Sequence, residues 1–257
     1  MYWNSFPRYV SAAEKKAKAL KNIAKFTKKN PNLCPVILES TTIAKNWWGK
    51  AWNKNLESYA DYSNRIGRGR SYVRTNMVIH LQINKNEIFS LVQGSASIPY
   101  SVKINIDPLN RKIWQNIVQE CQGKIEELDE LFAGNFPKLL AETFIKQKTG
   151  LFPSPSEIGF YCSCPDGAYM CKHVAATLYG VGARLDVNPA LFFELRDVNI
   201  GDLITEVIRS KTDELIKKAS KKGKRVIDDT NISAIFGIEM EPETQMPVKK
   251  GRKKKEN

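Results

Sequence analysis

The feature that most constrains this chain is a twelve-residue segment, 162–173, that concentrates its metal-binding side chains. The segment holds three of the five cysteines and one of the two histidines of the sequence, namely Cys162, Cys164, Cys171 and His173. Three thiolates and one imidazole are the ligand set of a closed, tetrahedral structural zinc site. An odd number of cysteines, in a chain without a secretory signal pattern, disfavours a disulfide framework. The sequence therefore predicts one structural Zn²⁺; the alternative is three buried cysteines beside a core histidine.

Local sequence explains how these four side chains can converge. Residues 158–161 favour a strand, and the two-residue period of a strand places Cys162 and Cys164 on the same side. Residues 165–167 are Pro-Asp-Gly, which favour a turn, so a β-hairpin is predicted here. Residues two apart do not share a helix face, so Cys171 should precede a helix and His173 should lie on its first turn.

The helix after the cysteines has a clear apolar pattern. Val174, Leu178 and Val181 recur at helical spacing. Gly180 and Gly182 follow, and glycine is a common helix stop, so we expect the helix to end near them.

The pattern Cys-x-Cys, spacer, Cys-x-His resembles the SWIM-type zinc fingers, with Pro165 and Lys172 as common neighbours of the ligands. Gly167 and Met170 stand where that family often has an aromatic residue and a proline. The segments 47–52, 68–72, 92–95 with 99–100, and 191–196 extend the resemblance to bacterial SWIM zinc finger proteins. Such proteins are often associated with a Swi/Snf-type helicase-like ATPase. The resemblance therefore implies a nucleic-acid or protein-interaction role and a possible partner of that kind.

The charge balance also indicates a polyanionic partner. The chain carries 40 Lys and Arg against 27 Asp and Glu, a formal net charge of +13. Such an excess favours association with nucleic acid, DNA or RNA, through the phosphate backbone. No apolar run is long enough to span a bilayer, so we expect no membrane partner and a reducing, cytoplasmic location.

Periodicity predicts an α+β fold: a small antiparallel sheet with flanking helices, a zinc-stabilised β-hairpin–helix module, and a disordered basic C-terminal tail. Strands are expected at 77–83, 88–92 and 101–106, and helices at 12–27, 42–59, 109–121, 124–133, 137–147, 188–196 and 201–220. In the first strand the residues Met77, Ile79, Leu81 and Ile83 should share one face. The predicted division is an α+β domain at 1–150, the zinc module at 151–200, a helical region at 201–239 and the tail at 240–257.

Two helices carry side chains that allow more than one interpretation. In the first, Ala13, Ala17, Leu20 and Ala24 should form the apolar stripe, flanked by Lys15, Lys18, Lys21, Lys25 and Lys28. These lysines could contact phosphates, but lysine-rich surface helices are common, so we favour a solvated face. In the second, Trp47, Trp48 and Trp52 could stack on bases, but their spacing is more typical of core residues.

The segment 64–74 combines four arginines with two glycines and is predicted to be a flexible loop. Arginine forks suit bidentate phosphate contacts, so Arg65, Arg68, Arg70 and Arg74, together with Lys172, are the candidate nucleic-acid contacts. The alternative is an exposed basic turn paired with local carboxylates. The basic stretches at 217–225 and 249–255 could add phosphate contacts or simply aid solubility.

These patterns favour a non-enzymatic zinc protein that binds nucleic acid, with a protein-interaction adaptor for a helicase-like ATPase as the alternative. An enzyme is disfavoured because His173 is assigned to zinc and His80, expected as an exposed strand residue, is the remaining histidine. No nucleophile motif is present, and no small-molecule substrate is expected. Cys121 and Cys34 are interpreted as ordinary packed or small residues.

Overall fold

A computed structural model describes residues 10–61, 63–94, 96–121, 140–146 and 148–220. The helices are α1 (Ala12–Lys29), α2 (Trp47–Glu57), α3 (Ser63–Arg74), α4 (Arg111–Glu120), α5 (Ala141–Ile145), α6 (Lys172–Val187), α7 (Ala190–Leu195) and α8 (Ile200–Ser220). The strands are β1 (Val78–Asn84), β2 (Glu87–Val92), β3 (Tyr100–Ile106) and β4 (Ile158–Cys162), with a 3₁₀ turn at Pro155–Glu157. Two compact units divide at residue 212, and the second, 213–257, contains the last turns of α8.

One antiparallel sheet, in the order β1-β2-β3-β4, organises the first unit. β1 and β2 form a hairpin whose loop is Lys85-Asn86, with Asn86 in the left-handed region at φ 59°. β4 pairs with β3, so the strand that leads into the cysteines is the fourth strand of this sheet. The α+β class is therefore confirmed. Residue 150 falls between β3 and β4, and the predicted domain division stays a prediction.

The core-facing residues of β1 differ from the predicted stripe. The register between β1 and β2 shifts between Val78 and His80, which marks a β-bulge. A bulge inserts one residue and reverses the alternation beyond it. Gly180 lies on α6, and a Cβ built at this glycine would be 3.8 Å from Val78 and 3.3 Å from Leu81. Both side chains therefore face α6. The predicted face of Met77, Ile79, Leu81 and Ile83 is wrong at its N-terminal half.

α6 is the central helix of the unit, and most of its residues are buried. The Trp52 indole donates to the Leu178 carbonyl at 2.8 Å, and the hydroxyls of Ser90 and Thr177 lie 2.5 Å apart. The predicted stop at Gly180 and Gly182 is wrong, since the helix continues to Val187. These glycines instead allow close packing: a Cβ at Gly180 would meet Val36 and Leu81 at 3.3 Å, and one at Gly182 would collide with Asn53.

α1 begins with a capping box, in which the side chains of Ser11 and Glu14 each accept the backbone N–H of the other residue. The predicted apolar stripe is wrong, because Ala13, Ala17, Leu20 and Ala24 are exposed. Ala19 and Ile23 are the buried residues of this helix. The predicted stripe was mostly alanine, whose small apolar area drives burial less strongly than the isoleucine side chain does.

α2 begins at Trp47, later than the predicted start near residue 42. The cause is a distant carboxylate: Asp186, at the end of α6, accepts the N–H groups of Lys45 and Asn46 at 2.8 and 2.7 Å. A carboxylate at this position satisfies donors that the first helical turn leaves free. Trp52 is buried, and Trp47 and Trp48 are partly buried against the core, in agreement with the core interpretation of the three tryptophans.

The remaining helices agree with the sequence where the structure describes them. α4 and α7 lie within the predicted ranges, α8 begins one residue before its predicted range, and Cys121 is a fully buried thiol. The predicted helix at 124–133, part of that at 137–147, and the tail at 240–257 lie outside the described residues. Of the helices in the described part of the chain, none has the length and apolar content to cross a membrane.

Candidate metal centre

The end of β4 and the start of α6 bring the four predicted ligands together. The donor atoms of Cys162, Cys164, Cys171 and His173 all lie within 4.8 Å of one another. His173 Nδ1 is 3.8 Å from the Cys162 sulfur and 4.0 Å from the Cys171 sulfur. A tetrahedral zinc with Zn–S of ~2.3 Å and Zn–N of ~2.0 Å separates its ligand atoms by about 3.5–3.8 Å. The cluster therefore fits one zinc ion, which these four residues are positioned to bind.

The backbone around the cysteines is arranged to stabilise thiolates. Cys171 is the N-cap of α6, and its sulfur accepts the Val174 N–H at 3.5 Å. The positive end of the helix dipole adds to this effect. The sulfur of Cys162 accepts the backbone N–H of Cys164, and that of Cys164 accepts the N–H of Asp166. Each sulfur thus has a backbone donor as well as the position for a metal.

The thiols differ in how readily they ionise. A hydrogen bond from Cys162 holds the pKa of Cys171 well below its usual value. Burial alone would raise this pKa, and a second hydrogen bond, from His173, also lowers it. The same hydrogen bond, together with burial, raises the pKa of Cys162. Burial raises the pKa of Cys164, opposed by the Asp166 N–H. Because zinc binds thiolates, loading the site must displace protons from Cys162 and Cys164.

His173 is fixed by aromatic neighbours. It is 1% exposed, its ring lies 4.4 Å from the Tyr100 ring at an angle of 30°, and Tyr72 meets it edge-on at 5.5 Å. Nδ1 faces the sulfurs, whereas Nε2 is buried without a hydrogen-bond partner among the described residues. A Cβ built at Gly94 would lie 3.2 Å from Nε2, so Gly94 forms the wall behind the imidazole. This packing presents Nδ1 as the ligand atom and leaves the proton on Nε2.

The turn between the two ligand pairs, residues 165–170, contains no strand, so β4 pairs with β3 and not with a second strand of the predicted hairpin. Polar contacts hold this turn. Asp166 pairs with Arg65 at 3.1 Å, and the Tyr169 N–H donates to Asp61 at 2.9 Å. The Tyr169 hydroxyl donates to the Ile158 carbonyl at 2.8 Å. Of the two atypical positions, Met170 is fully buried in the core, and Gly167 has open space where a Cβ would stand.

The arginine-rich segment 64–74 is not a loop. It forms α3, which packs along α6. A Cβ at Gly69 would lie 2.5 Å from the Ala175 Cβ, so this glycine permits the helices to approach closely. The flexible-loop prediction is wrong because close packing with α6 outweighs the low helix propensity of the two glycines.

Three of the five candidate nucleic-acid contacts are engaged within the protein. Arg65 pairs with Asp166, Arg70 bonds Glu57 at 2.5 Å and the Tyr179 hydroxyl at 2.7 Å, and Arg74 donates to the Thr41 carbonyl at 2.9 Å. Arg68 is exposed on α3, and Lys172 is partly exposed at the start of α6. The nucleic-acid role of all five stays a prediction.

Sequence reasoning missed two polar networks and misplaced His80. In the first network, Glu57 accepts hydrogen bonds from both Arg70 and Tyr179. In the second, the fully buried Arg196 pairs with Glu157. The residues of each network are too far apart in sequence to form a local pattern. Arg196 was visible only as the end of the 191–196 segment that carries the family resemblance. His80 is partly buried, not exposed, and accepts the Cys34 N–H at Nδ1 at 3.1 Å. Burial and the charge of Arg184 lower its pKa.

Comparison with known proteins identifies the finger and gives one relative. The chain is 32% identical over 172 residues to the uncharacterized protein Rv2102 of Mycobacterium tuberculosis (strain ATCC 25618 / H37Rv). That alignment covers 66% of this chain and 62% of the relative, so the chain spans about three fifths of that protein's length. No solved structure matches the chain. Residues 161–180 match the family model described as SWIM zinc finger, and they contain all four metal-binding side chains. This chain therefore contains a SWIM zinc finger, with Cys162, Cys164, Cys171 and His173 as its ligands.

Proposed function

We propose that this chain is a non-enzymatic, zinc-scaffolded protein that binds nucleic acid through the phosphate backbone. The observation that carries the proposal is the charge of α1, which has seven lysines and one glutamate in eighteen residues. A helix of such charge raises the local concentration of a polyanion and accelerates its association. Contacts of this kind position a nucleic acid without reading its sequence.

Zinc has a structural role in this proposal. Four protein ligands complete a tetrahedral shell and leave no position for a substrate or a water molecule. The metal fixes the start of α6 against the end of β4, and α6 in turn packs against α3. His80, the histidine outside the finger, already accepts a backbone N–H and is not set up as a general base. The proposal therefore assigns the metal to architecture and the binding to cations around it.

Arg68 is the best placed of the predicted arginines. It is exposed, and it precedes Tyr72 by one turn of α3. Burial raises the pKa of the Tyr72 hydroxyl, and the positive charge of Arg68 opposes that rise. In the described part of the chain no carboxylate pairs with Arg68, so its guanidinium can face a phosphate. Lys172 offers a second cation beside the ligands.

Salt-dependent binding tests this proposal. Zinc-loaded full-length chain is titrated against labelled DNA and RNA oligonucleotides by fluorescence anisotropy at several KCl concentrations. Affinity should fall with salt, with a slope of log K on log salt of roughly −0.7 to −0.9 for each phosphate contacted. The double variant R68Q/K172Q should bind more weakly. K85Q/K103Q removes the same charge from two lysines already paired with Asp197 and Glu87, and should bind like wild type. No affinity for either polymer at low salt would refute the proposal.

A second candidate function, an adaptor for a Swi/Snf-type helicase-like ATPase, is favoured by the outer face of the finger. Tyr161 and Tyr169 are 62% and 55% exposed there. Large exposed aromatic side chains are typical anchors of protein interfaces. Zinc-dependent capture of a purified ATPase of this class, lost in Tyr161→Ser and unaccompanied by salt-sensitive oligonucleotide binding, would favour this candidate over the first.

A further inference from the structure

We propose that a groove between α1 and α3 is the nucleic-acid site and that its ligand is a single strand. This inference rests on the proposed function and specifies where binding occurs and which form is bound. The groove has a volume of about 720 Å³. One wall is α1; the opposite wall is formed by Ser71 and Tyr72 of α3 and by Thr75 just after that helix. The segment after β2 adds Gln93 and Gly94.

The α1 wall is a continuous line of cations. Lys15, Lys18, Lys25 and Lys29 line the groove, with Asn22 between them, at spacings that share one helix face. Lys15 and Lys29 are separated by about 21 Å along the axis, at 1.5 Å per residue. All four lysines are exposed. This length matches a track of several successive phosphates rather than a single small anion.

The charge of this wall is not neutralised from within the groove. None of the described residues that line it is an aspartate or a glutamate. Arg68, which is exposed and stands one turn before Tyr72 on α3, adds a further cation beside this groove. Exposed lysines facing a concave surface without carboxylates favour phosphate binding by counterion release.

The groove also contains aromatic surface. Tyr72 lines it as a half-buried ring held edge-on against His173, and Phe26 of α1 lines it as well. An aromatic ring beside a row of cations is the arrangement with which proteins hold unpaired bases and backbone together. A duplex keeps its bases stacked inside and cannot offer them to Tyr72, and polyglutamate has no aromatic group that could stack on this ring.

The zinc centre and the groove share two residues. Tyr72 contacts the ring of His173 on one side and lines the groove on the other. Gly94 lines the groove and closes the space behind His173 Nε2. The metal ligand thereby fixes the orientation of the Tyr72 ring, so single-strand affinity should depend on zinc although the metal does not touch the ligand.

The experiment compares two charge-matched variants of the zinc-loaded full chain. K18Q/K25Q removes two groove lysines, whereas K21Q/K28Q removes two exposed lysines of α1 that do not line the groove. A labelled oligo-dT is titrated by anisotropy over a range of KCl. K18Q/K25Q should bind at least about tenfold more weakly than wild type at low salt. Its slope of log K on log salt should be shallower by about 1.4, because each phosphate that a lysine no longer neutralises reduces the magnitude of the slope by about 0.7. K21Q/K28Q should bind within about twofold of wild type.

Stacking is tested separately with Tyr72→Leu, which keeps an apolar side chain against His173. This variant should lose about fivefold or more in affinity for the single strand, with an unchanged salt slope. Circular dichroism and zinc content should match wild type for all variants.

Each remaining outcome contradicts a defined part of the inference. If wild type binds no nucleic acid, the proposed function and the groove site both fail. If wild type binds but the two lysine pairs weaken binding equally, only the groove site fails. Equal affinity for a duplex of the same length, or for polyglutamate, with the same dependence on Lys18 and Lys25, would refute a single strand as the ligand.

Discussion

The two ends of β4 are held by different means. At its C-terminal end, Cys162 belongs to the zinc site, and the turn that follows is held by the metal and a few polar contacts. At its N-terminal end, Glu157 pairs with Arg196 at 2.7 Å, and Arg196 also donates to the Asp107 carbonyl at 2.8 Å. The same strand is therefore anchored by a metal at one end and by a buried guanidinium at the other.

The difference follows from what each end can bury. The Arg196 side chain is 1% exposed and lies beside the strongly apolar α7, where Phe192, Phe193 and Leu195 are buried. The finger turn has Met170 as its fully buried apolar residue, while Tyr169 is exposed. A buried ion pair needs a packed environment with further hydrogen-bond partners for its charged groups. Zinc binding supplies folding free energy by itself, so it can order a segment that buries little apolar area. A metal is therefore used where packing alone would not suffice.

Removing the metal should have the largest effect. Structural zinc contributes roughly 10–16 kcal/mol of folding free energy in finger peptides. His173→Ala, or chelation of the wild type, should therefore lower the local stability of the finger by more than about 5 kcal/mol. The C-terminal part that begins at the finger should loosen first. Limited trypsin digestion should then cut after Lys172, which is partly buried at the start of α6 when the finger is intact.

Cys34→Ser is the matched control, because Cys34 is an exposed thiol outside the ligand cluster. It should keep one zinc per chain by elemental analysis and resist trypsin like wild type. Chelated protein with undiminished protease resistance and an unchanged Tm would show that packing alone holds this end of β4.

Disrupting the other end should have the second largest effect. Arg196→Met keeps apolar volume but removes the bonds to Glu157 and to the Asp107 carbonyl. Removal of one partner from a buried pair costs about 3–5 kcal/mol, and we expect the lower part of that range because Glu157 is 27% exposed and can rehydrate. Urea unfolding measures the change, and zinc content should stay at one per chain.

The neighbouring pair Lys85–Asp197 supplies the comparison for Arg196. Its side chains are 66% and 36% exposed, so Lys85→Gln should change stability by no more than about 1 kcal/mol. Equal effects of Arg196→Met and Lys85→Gln would mean that the buried guanidinium does not anchor β4.

The sequence predicted the metal end far better than the arginine end. The zinc ligands are separated by short, local spacings. Cys162 ends β4, Cys164 lies in the bend that follows, and Cys171 is the N-cap of α6, so local sequence places them without knowledge of the remaining fold. Arg196 lies 39 residues from Glu157 and 89 from Asp107, and nothing in its local pattern indicates a buried cation. Local chemistry is readable from sequence, but a partner chosen by tertiary packing is not.

Glycine caused two further errors, at Gly69 and Gly180, for the same reason. Gly69 suggested a loop and Gly180 a helix stop, yet each is a close-contact position on a continuous helix. An isolated glycine costs roughly 1 kcal/mol of helix propensity, a cost that packing against a distant residue can offset. For Gly69 the residue that it approaches is Ala175, more than a hundred positions later in the chain. The sequence shows the cost of the glycine and not the contact that requires it.

Replacing Glu157 should have a smaller effect than replacing Arg196, and that effect should depend on pH. Burial raises the pKa of Glu157, but hydrogen bonds from Arg196 and Ser154 outweigh it, so the pKa lies below the ordinary value of 4.5. A carboxyl whose pKa is lowered in the folded state stabilises the fold above its unfolded pKa and loses that contribution as the pH falls through the folded pKa. Glu157→Gln should therefore lower the free energy of unfolding by about 1–3 kcal/mol at pH 7, because it removes the charged partner of Arg196.

The difference between wild type and Glu157→Gln should shrink below pH 4.5, because the wild-type carboxyl then becomes neutral as well. Urea unfolding of both proteins between pH 3 and 7 measures this difference in the free energy of unfolding. A spectroscopic probe away from the finger separates it from the release of zinc in acid. A difference that stays constant across this range would show that Glu157 anchors β4 by hydrogen-bond geometry alone. In that case the charge of Arg196 must be satisfied by the Asp107 carbonyl and its other neighbours.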